Sequence, residues 1–171
     1  MLNASQTCCF SGYRPEKVKG WELPNGIPPK EIESSIEEAI IRAYKSGYLF
    51  FISGMSRGFD LWAADKVIKL KELYPIKLFC AIPFDEQNLY WSDVVKKQYN
   101  DIILKSDYVY SMSRKYTPDC FYVRNKFMVD GSSRLICWFN GTQGGTSFTL
   151  RCAKRKGLEI DNLYEQQMIT Y

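Results

Sequence analysis

Leu49-Phe50-Phe51-Ile52-Ser53-Gly54-Met55-Ser56-Arg57-Gly58-Phe59-Asp60-Leu61-Trp62-Ala63-Ala64 is the stretch whose reading decides the fold. It opens as an apolar run, Leu49 to Ile52, short enough for a buried strand. A glycine turn follows from Ser53 to Gly58. The pattern then becomes helical, with Leu61, Ala64 and Ile68 on one side. Strand, glycine loop, helix is how an α/β protein offers free backbone N–H groups to an anion. Gly54 and Gly58 let the backbone bend and approach a ligand with no Cβ in the way. Asp60 has two readings. A carboxylate near a helix start suits the positive end of the dipole, and it also accepts hydrogen bonds from a ribose or from the loop itself.

The same alternation extends along the chain. Thr7 to Phe10 reads as a first strand, running into Ser11-Gly12-Tyr13-Arg14-Pro15. A Pro- and Gly-rich loop, Glu16 to Pro29, carries Trp21 and is long enough to cover something. Pro28-Pro29 open a helix whose apolar face is Ile32, Ile36, Ile40 and Ala43, closed by Gly47. The second helix reaches about Leu73, before Pro75. Ile76 to Ile82 forms a third strand and Glu86 to Lys105 a third helix. Tyr108 to Met112 is a fourth strand. Thr117-Pro118-Asp119 starts a helix, with Thr117 as cap. That helix runs to Asp130. Leu135 to Phe139 is a fifth strand, Thr146 to Lys156 a fifth helix, and Leu158 to Ile160 a short sixth strand.

Short, nearly all-apolar strands alternating with helices predict an α/β fold: a doubly wound parallel sheet of five or six strands with helices on both faces. With no internal repeat and no linker, one domain spans residues 1–171. In such a sheet ligands bind beyond the carboxyl ends of the strands, at the switch point. The segments expected there are 11–15, 53–60, 83–88, 112–117 and 140–146.

Composition narrows the chemistry. Histidine is absent, which excludes histidine acid–base catalysis, histidine metal ligation and Ser-His or Cys-His nucleophiles. None of the six cysteines forms Cys-x-x-Cys, so no metal site is expected. Cys8, Cys9, Cys80 and Cys137 fall in strands, where a thiol acts as a small apolar group. With no signal-peptide pattern, this predicts a reducing cytoplasm. No apolar run approaches membrane-spanning length. The net charge of +4 is too mild to argue for nucleic acid, and fits an anionic small molecule equally well.

Phe121, Arg124, Asn125 and Met128 share one helical face, and Arg124 and Asn125 interrupt an otherwise apolar stripe. Either that face lies at the solvent edge with Arg124 snorkelling, or Arg124 and Asn125 turn into the crevice with Arg124 as a phosphate clamp. Gly144-Gly145-Thr146 offers amides and a hydroxyl at a helix start, suited to phosphate or to plain capping. Tyr13 and Arg14 follow the first strand. Trp21 and Trp91 either close over a base or pack. The carboxylates placed near the crevice are Asp60, Asp85, Glu86 and Asp130; Asp60 and Asp130 are the catalytic candidates.

These blocks resemble the signature of the YpsA-like family of the SLOG superfamily, which also includes DprA and the LOG phosphoribohydrolases. The 53–64 stretch, Gly12-Tyr13-Arg14-Pro15, Ile82-Pro83-Phe84, Trp91, Arg124-Asn125-Lys126 and Gly144-Gly145-Thr146 match in order, from about Cys8 to Lys156. The resemblance implies a Rossmann-like fold binding a nucleotide or nucleotide-derived ligand. The implied contacts are Gly12, Tyr13, Arg14, Ser53, Gly54, Met55, Arg57, Gly58, Asp60, Pro83, Arg124, Asn125, Gly144, Gly145 and Thr146. LOG enzymes carry a Glu three residues after the motif threonine; here that position is Thr149.

The leading expectation is a binding module, or sensor, for an ADP-ribose or NAD-like nucleotide, with no other cofactor and no membrane partner. One alternative is N-glycosidic hydrolysis assisted by Asp60 or Asp130. Another is DprA-like single-stranded DNA binding, with Arg14, Arg57 and Arg124 on phosphates. Homo-oligomerisation is left open.

Overall fold

The computed structural model describes residues 2–169. Six strands and six α-helices alternate: β1 (Thr7–Ser11), α1 (Lys30–Lys45), β2 (Phe50–Ser53), α2 (Phe59–Leu70), β3 (Lys77–Ile82), α3 (Asp93–Lys105), β4 (Tyr108–Ser111), α4 (Cys120–Asp130), β5 (Arg134–Cys137), α5 (Gly145–Lys156), β6 (Glu159–Asn162) and α6 (Leu163–Ile169). The strands form one sheet in the order β4-β3-β2-β1-β5-β6, and every neighbouring pair is parallel. This is the α/β, Rossmann-like architecture expected from the alternation.

The chain steps outward from β1 through β2 and β3 to β4, then crosses back to β5 on the other side of β1. The loops after β1 and β5 therefore leave adjacent strands in opposite directions and open a crevice between them. One core layer joins Ile36 and Ile40 of α1, Leu61 and Val67 of α2, and Ile102 of α3 to β-sheet residues such as Phe10, Phe51 and Leu78. A second layer sets Met128, Val129, Leu150 and Ala153 of α4 and α5 against Cys9, Ile52, Leu135 and Cys137. Cys8, Cys9, Cys80 and Cys137 are buried strand residues, and the six cysteines are free.

Several boundaries differ from the sequence reading. α3 begins at Asp93, after a series of turns from Phe84 to Ser92, so Trp91 precedes the helix and packs edge-on against Tyr99 at 5.5 Å. α4 begins at Cys120 with Asp119 at its cap position; the Thr117 hydroxyl donates to the Asp119 carboxylate rather than to a helix amide. α6 continues from β6 without a turn signal between them. The strand β4 is exposed, unlike its neighbours. None of the described helices is long and apolar enough to cross a membrane.

Candidate functional site

The crevice at the carboxyl ends of β1 and β5 is a cleft of about 380 Å³. Its walls are the turn after β1 (Ser11 to Arg14, with Lys17), the start of α4 (Pro118, Phe121, Tyr122, Arg124, Asn125) and the 142–146 loop into α5. Ser56 and Asp60 form its inner end. Tyr13 ties two walls together, its hydroxyl donating to the Thr142 carbonyl at 2.9 Å. Tyr13 and Thr142 are far apart in sequence, so this bond is one of the ties that make the cleft a single object.

The glycine loop serves the cleft indirectly. A Cβ on Gly54 would sit 2.7 Å from Arg124 Nη1, and one on Gly58 would sit 2.6 Å from the Tyr13 carbonyl oxygen. Gly54 and Gly58 thus admit an arginine and a neighbouring loop, where a ligand was expected. Two backbone donors of the loop and its helix start are engaged as well. Met55 N–H donates to Ser53 Oγ and Phe59 N–H donates to the Tyr13 carbonyl. The Ser53 hydroxyl donates to the Asp60 carbonyl at 2.8 Å. Ser53, Gly54, Met55 and Gly58 are thus scaffold behind the cleft.

Arg124 is 3 % exposed, which removes the solvent-edge reading of its helical face. Its Nε donates to Asn125 Oδ1 at 2.7 Å, its Nη1 to the Gly54 carbonyl, and its Nη2 to Ser56 Oγ at 3.3 Å. The guanidinium therefore clamps the glycine loop while one side of it lines the cleft. Burial pulls its pKa below the ordinary arginine value, partly offset by the Asp60 charge.

Asp60 is 5 % exposed and its Oδ1 has no hydrogen-bond partner. Burial raises its carboxyl to about 6, against the pull of Arg124, the amides of Ser56 and Gly12, and Arg14. Arg14 is exposed and lies 5.4 Å from the Phe121 ring centroid. Arg124 lies 5.9 Å from the same ring. The α5 end supplies Gly144, Gly145 and Thr146, with Ser147 Oγ and Gly144 bonded reciprocally. A helix N-terminus, two arginines and a flat aromatic wall favour an anionic, partly planar molecule.

The remaining sequence candidates lie elsewhere. Arg57 pairs with Glu16 at 2.8 Å and faces a second cavity, of about 290 Å³, beneath the long loop. Trp21 belongs to the core, its ring 4.7 Å from Trp138 and 5.2 Å from Trp62. Pro83 ends β3 outside the cleft lining. Asp130 is at the far end of α4, exposed and paired with Lys126 at 2.6 Å. It therefore does not face the cleft. Thr149 is fully buried and its hydroxyl donates to the Gly145 carbonyl at 2.9 Å. Ser11, Ser56, Thr142 and Gln143 line the cleft from segments that the sequence placed at the rim without naming these residues as contacts, whereas Lys17, Pro118 and Tyr122 line it from outside those segments. Tyr122 and Lys17 are one and three positions from residues the sequence reading named; Thr142 and Gln143 carry no signal of their own.

Comparison with known proteins bears on the family and the fold. The family model YpsA, described as the YspA SLOG family, matches residues 8–171. UPF0398 protein BH1768 of Halalkalibacterium halodurans is 30% identical over 143 residues, covering 81% of this chain and 75% of its own. A UPF0398 protein of Bacillus cereus is 30% identical over 159 residues, covering 90% of this chain and 85% of its own. Among solved structures, DNA processing protein A (DprA) of Streptococcus pneumoniae superposes with a TM-score of 0.63 at 16% identity, over 91% of this chain. The chain spans about half, 49%, of that protein's length. DprA of Helicobacter pylori, whose structure was described for its single-stranded DNA binding mode, gives a TM-score of 0.61 at 12% identity, over 98% of this chain and 73% of its own.

Proposed function

The chain belongs to the YspA SLOG family, and from that premise we propose that its cleft binds a nucleotide or nucleotide-derived ligand, ADP-ribose and NAD-like molecules first among them. The observation that carries this reading is the unpartnered, buried Asp60 oxygen. A buried acceptor without a donor is costly, and a ligand hydroxyl or amine relieves that cost. Arg14 and the α5 N-terminus favour a phosphate at the same time. A molecule carrying both phosphate and ribose hydroxyls meets both demands; bare phosphate meets one. The volume suits a small molecule. Thr149 stands where LOG enzymes carry a glutamate, and it is buried away from the cleft, so binding or sensing is favoured over glycosidic hydrolysis. Six free cysteines support a reducing, cytoplasmic setting.

Thermal unfolding against a panel of nucleotides tests the reading. A ligand present at about 100 times its Kd stabilises the fold by about 2.7 kcal/mol, which a melting curve resolves. ADP-ribose, NAD or a close relative should raise the Tm. A panel tested at millimolar concentration that leaves the Tm unmoved overturns the proposal.

A second reading lengthens the ligand to a single DNA strand. It is favoured by Arg14 and Lys17, which stand exposed at the cleft rim where successive phosphates would run. This reading requires an affinity that falls steeply with salt; absence of binding at low salt dismisses it.

A further inference from the structure

The two edges of the sheet are built differently. On β6, Glu159 and Asp161 are paired with Arg134 and Arg42. The Asn162 side chain accepts from the Phe139 N–H and donates to the Phe139 carbonyl, and α6 follows at once. On β4 the residues are Tyr108-Val109-Tyr110-Ser111, with neither charge nor proline. Tyr108, Val109 and Tyr110 are 46, 48 and 53% exposed. No described strand pairs with the outer side of β4. Charges, prolines and short length are among the devices by which sheets discourage edge pairing. β6 carries charges, whereas β4 has neither charge nor proline and is defended by its four-residue length alone.

The adjoining face is also thinly covered. Among the described residues, the α1 side of the sheet carries α1, α2, α3 and α6, and the other side α4 and α5. Tyr110 stacks on Phe127 at 5.7 Å and Tyr108 lies 6.0 Å from Phe79, with both tyrosines left half open.

We propose that β4 is a self-association edge, where two copies of this chain pair antiparallel across a two-fold axis through Val109 and join their sheets. The register identifies which backbone groups are free to do so. Ser111 lies opposite Ile82, Met112 N–H donates to the Ile82 carbonyl, and Pro83 has no N–H to offer. The ladder to β3 therefore runs through Tyr108 and Tyr110, leaving Val109 N–H and C=O outward. Across the two-fold axis each Val109 N–H donates to the Val109 carbonyl of the other copy. Tyr108 of one copy then sits beside Tyr110 of the other on the α4 face, a cross-strand aromatic pair made twice.

Self-complementarity selects a second copy over a foreign strand. The segment is uncharged, so two copies meet without repulsion, and tyrosines repeat symmetrically about Val109. A four-residue strand alone falls short of the roughly 800 Å² per partner of a stable interface. Leu104, 83% exposed at the end of α3, and Val123, 46% exposed on α4, are further exposed apolar residues on the helices that flank the sheet's two faces.

Sedimentation velocity of the whole chain from about 1 to 100 μM tests this by mass action. The expected result is a dimer that forms with rising concentration. Val109→Pro removes the outward N–H and spares the ladder to β3, an edge position where proline is accepted. Val109→Lys sets two ammonium groups against each other on the axis. Each should weaken dimerisation by at least about tenfold with circular dichroism unchanged. If the proline variant fails to fold, the lysine variant decides. A wild type that remains monomeric throughout overturns the proposal, including the case in which β4 instead recruits a different protein. A dimer that survives in the folded variants overturns it as well.

Discussion

Asp60 holds a charge where the fold makes charge expensive. Its folded carboxyl titrates at about 6 because of burial, against about 3.9 in an unfolded chain. The fold therefore binds this proton more tightly than the unfolded chain does. The resulting stability is present below about pH 4 and is lost as the pH rises through 6. Asp60→Asn should accordingly stabilise the protein at pH 7.5, by on the order of 2 kcal/mol. That gain should shrink toward pH 4. Arg124 keeps its bonds to Gly54, Asn125 and Ser56 in the variant, so it is not stranded. The same substitution should abolish the nucleotide-induced rise in Tm. Urea titrations at the two pH values, with and without nucleotide, check both halves; a variant that is less stable at pH 7.5 and still binds refutes this role. At this scale the sequence marked Arg124 and Asn125 as polar interruptions of an apolar face. It could not say that the guanidinium would be spent holding a loop, because Gly54 lies seventy positions away.

The βα turns lock into one another, and glycine makes this possible. Gly58 has φ +84°, and a Cβ there would meet the Tyr13 carbonyl at 2.6 Å and Pro15 Cδ at 2.8 Å. Gly12 presses in return on the Phe59 ring, 2.3 Å from where its Cβ would lie. Gly58→Ala thus combines an unfavourable backbone conformation with a backbone clash. We expect a loss of at least about 2 kcal/mol, read as a lower urea midpoint. Ligand stabilisation should disappear with it, since the clash displaces the turn bearing Tyr13 and Arg14. An unchanged midpoint would contradict this packing. Element types were readable from period and punctuation, whereas several starts were not. Trp91, Val95, Tyr99 and Ile102 carry helical spacing, and only Val95 onward is helix; turns from 84 to 92 place Trp91 on Tyr99 by tertiary packing.

Across the whole molecule, stability and binding are handled in separate places. Asp161 joins Arg42 of α1 and Arg134 of β5, each at 3.1 Å, and neither it nor the arginines line the cleft. Asp161 and Arg134 are nearly buried, and Arg134 lies 5.6 Å from the Tyr48 ring centroid. Asp161→Ala leaves a buried guanidinium with Glu159 as its remaining ion-pair partner among the described residues. A loss of about 3 kcal/mol is expected, with nucleotide affinity of the folded protein unchanged. Calorimetric titration below the variant's Tm distinguishes this from a change at the site.

The sequence by itself determined the alternation of strand and helix, the parallel sheet and the loops that carry polar chemistry. These follow from local period and from glycine and proline, whose effects act within a few residues. Tertiary structure decided which loop residues reach the cleft. It turned Gly54 and Gly58 toward protein instead of ligand, and left one carboxylate oxygen of Asp60, Oδ1, without a donor. It also left β4 bare, because a four-residue apolar strand reads the same at the centre of a sheet as at its rim; only the strand order makes it an edge.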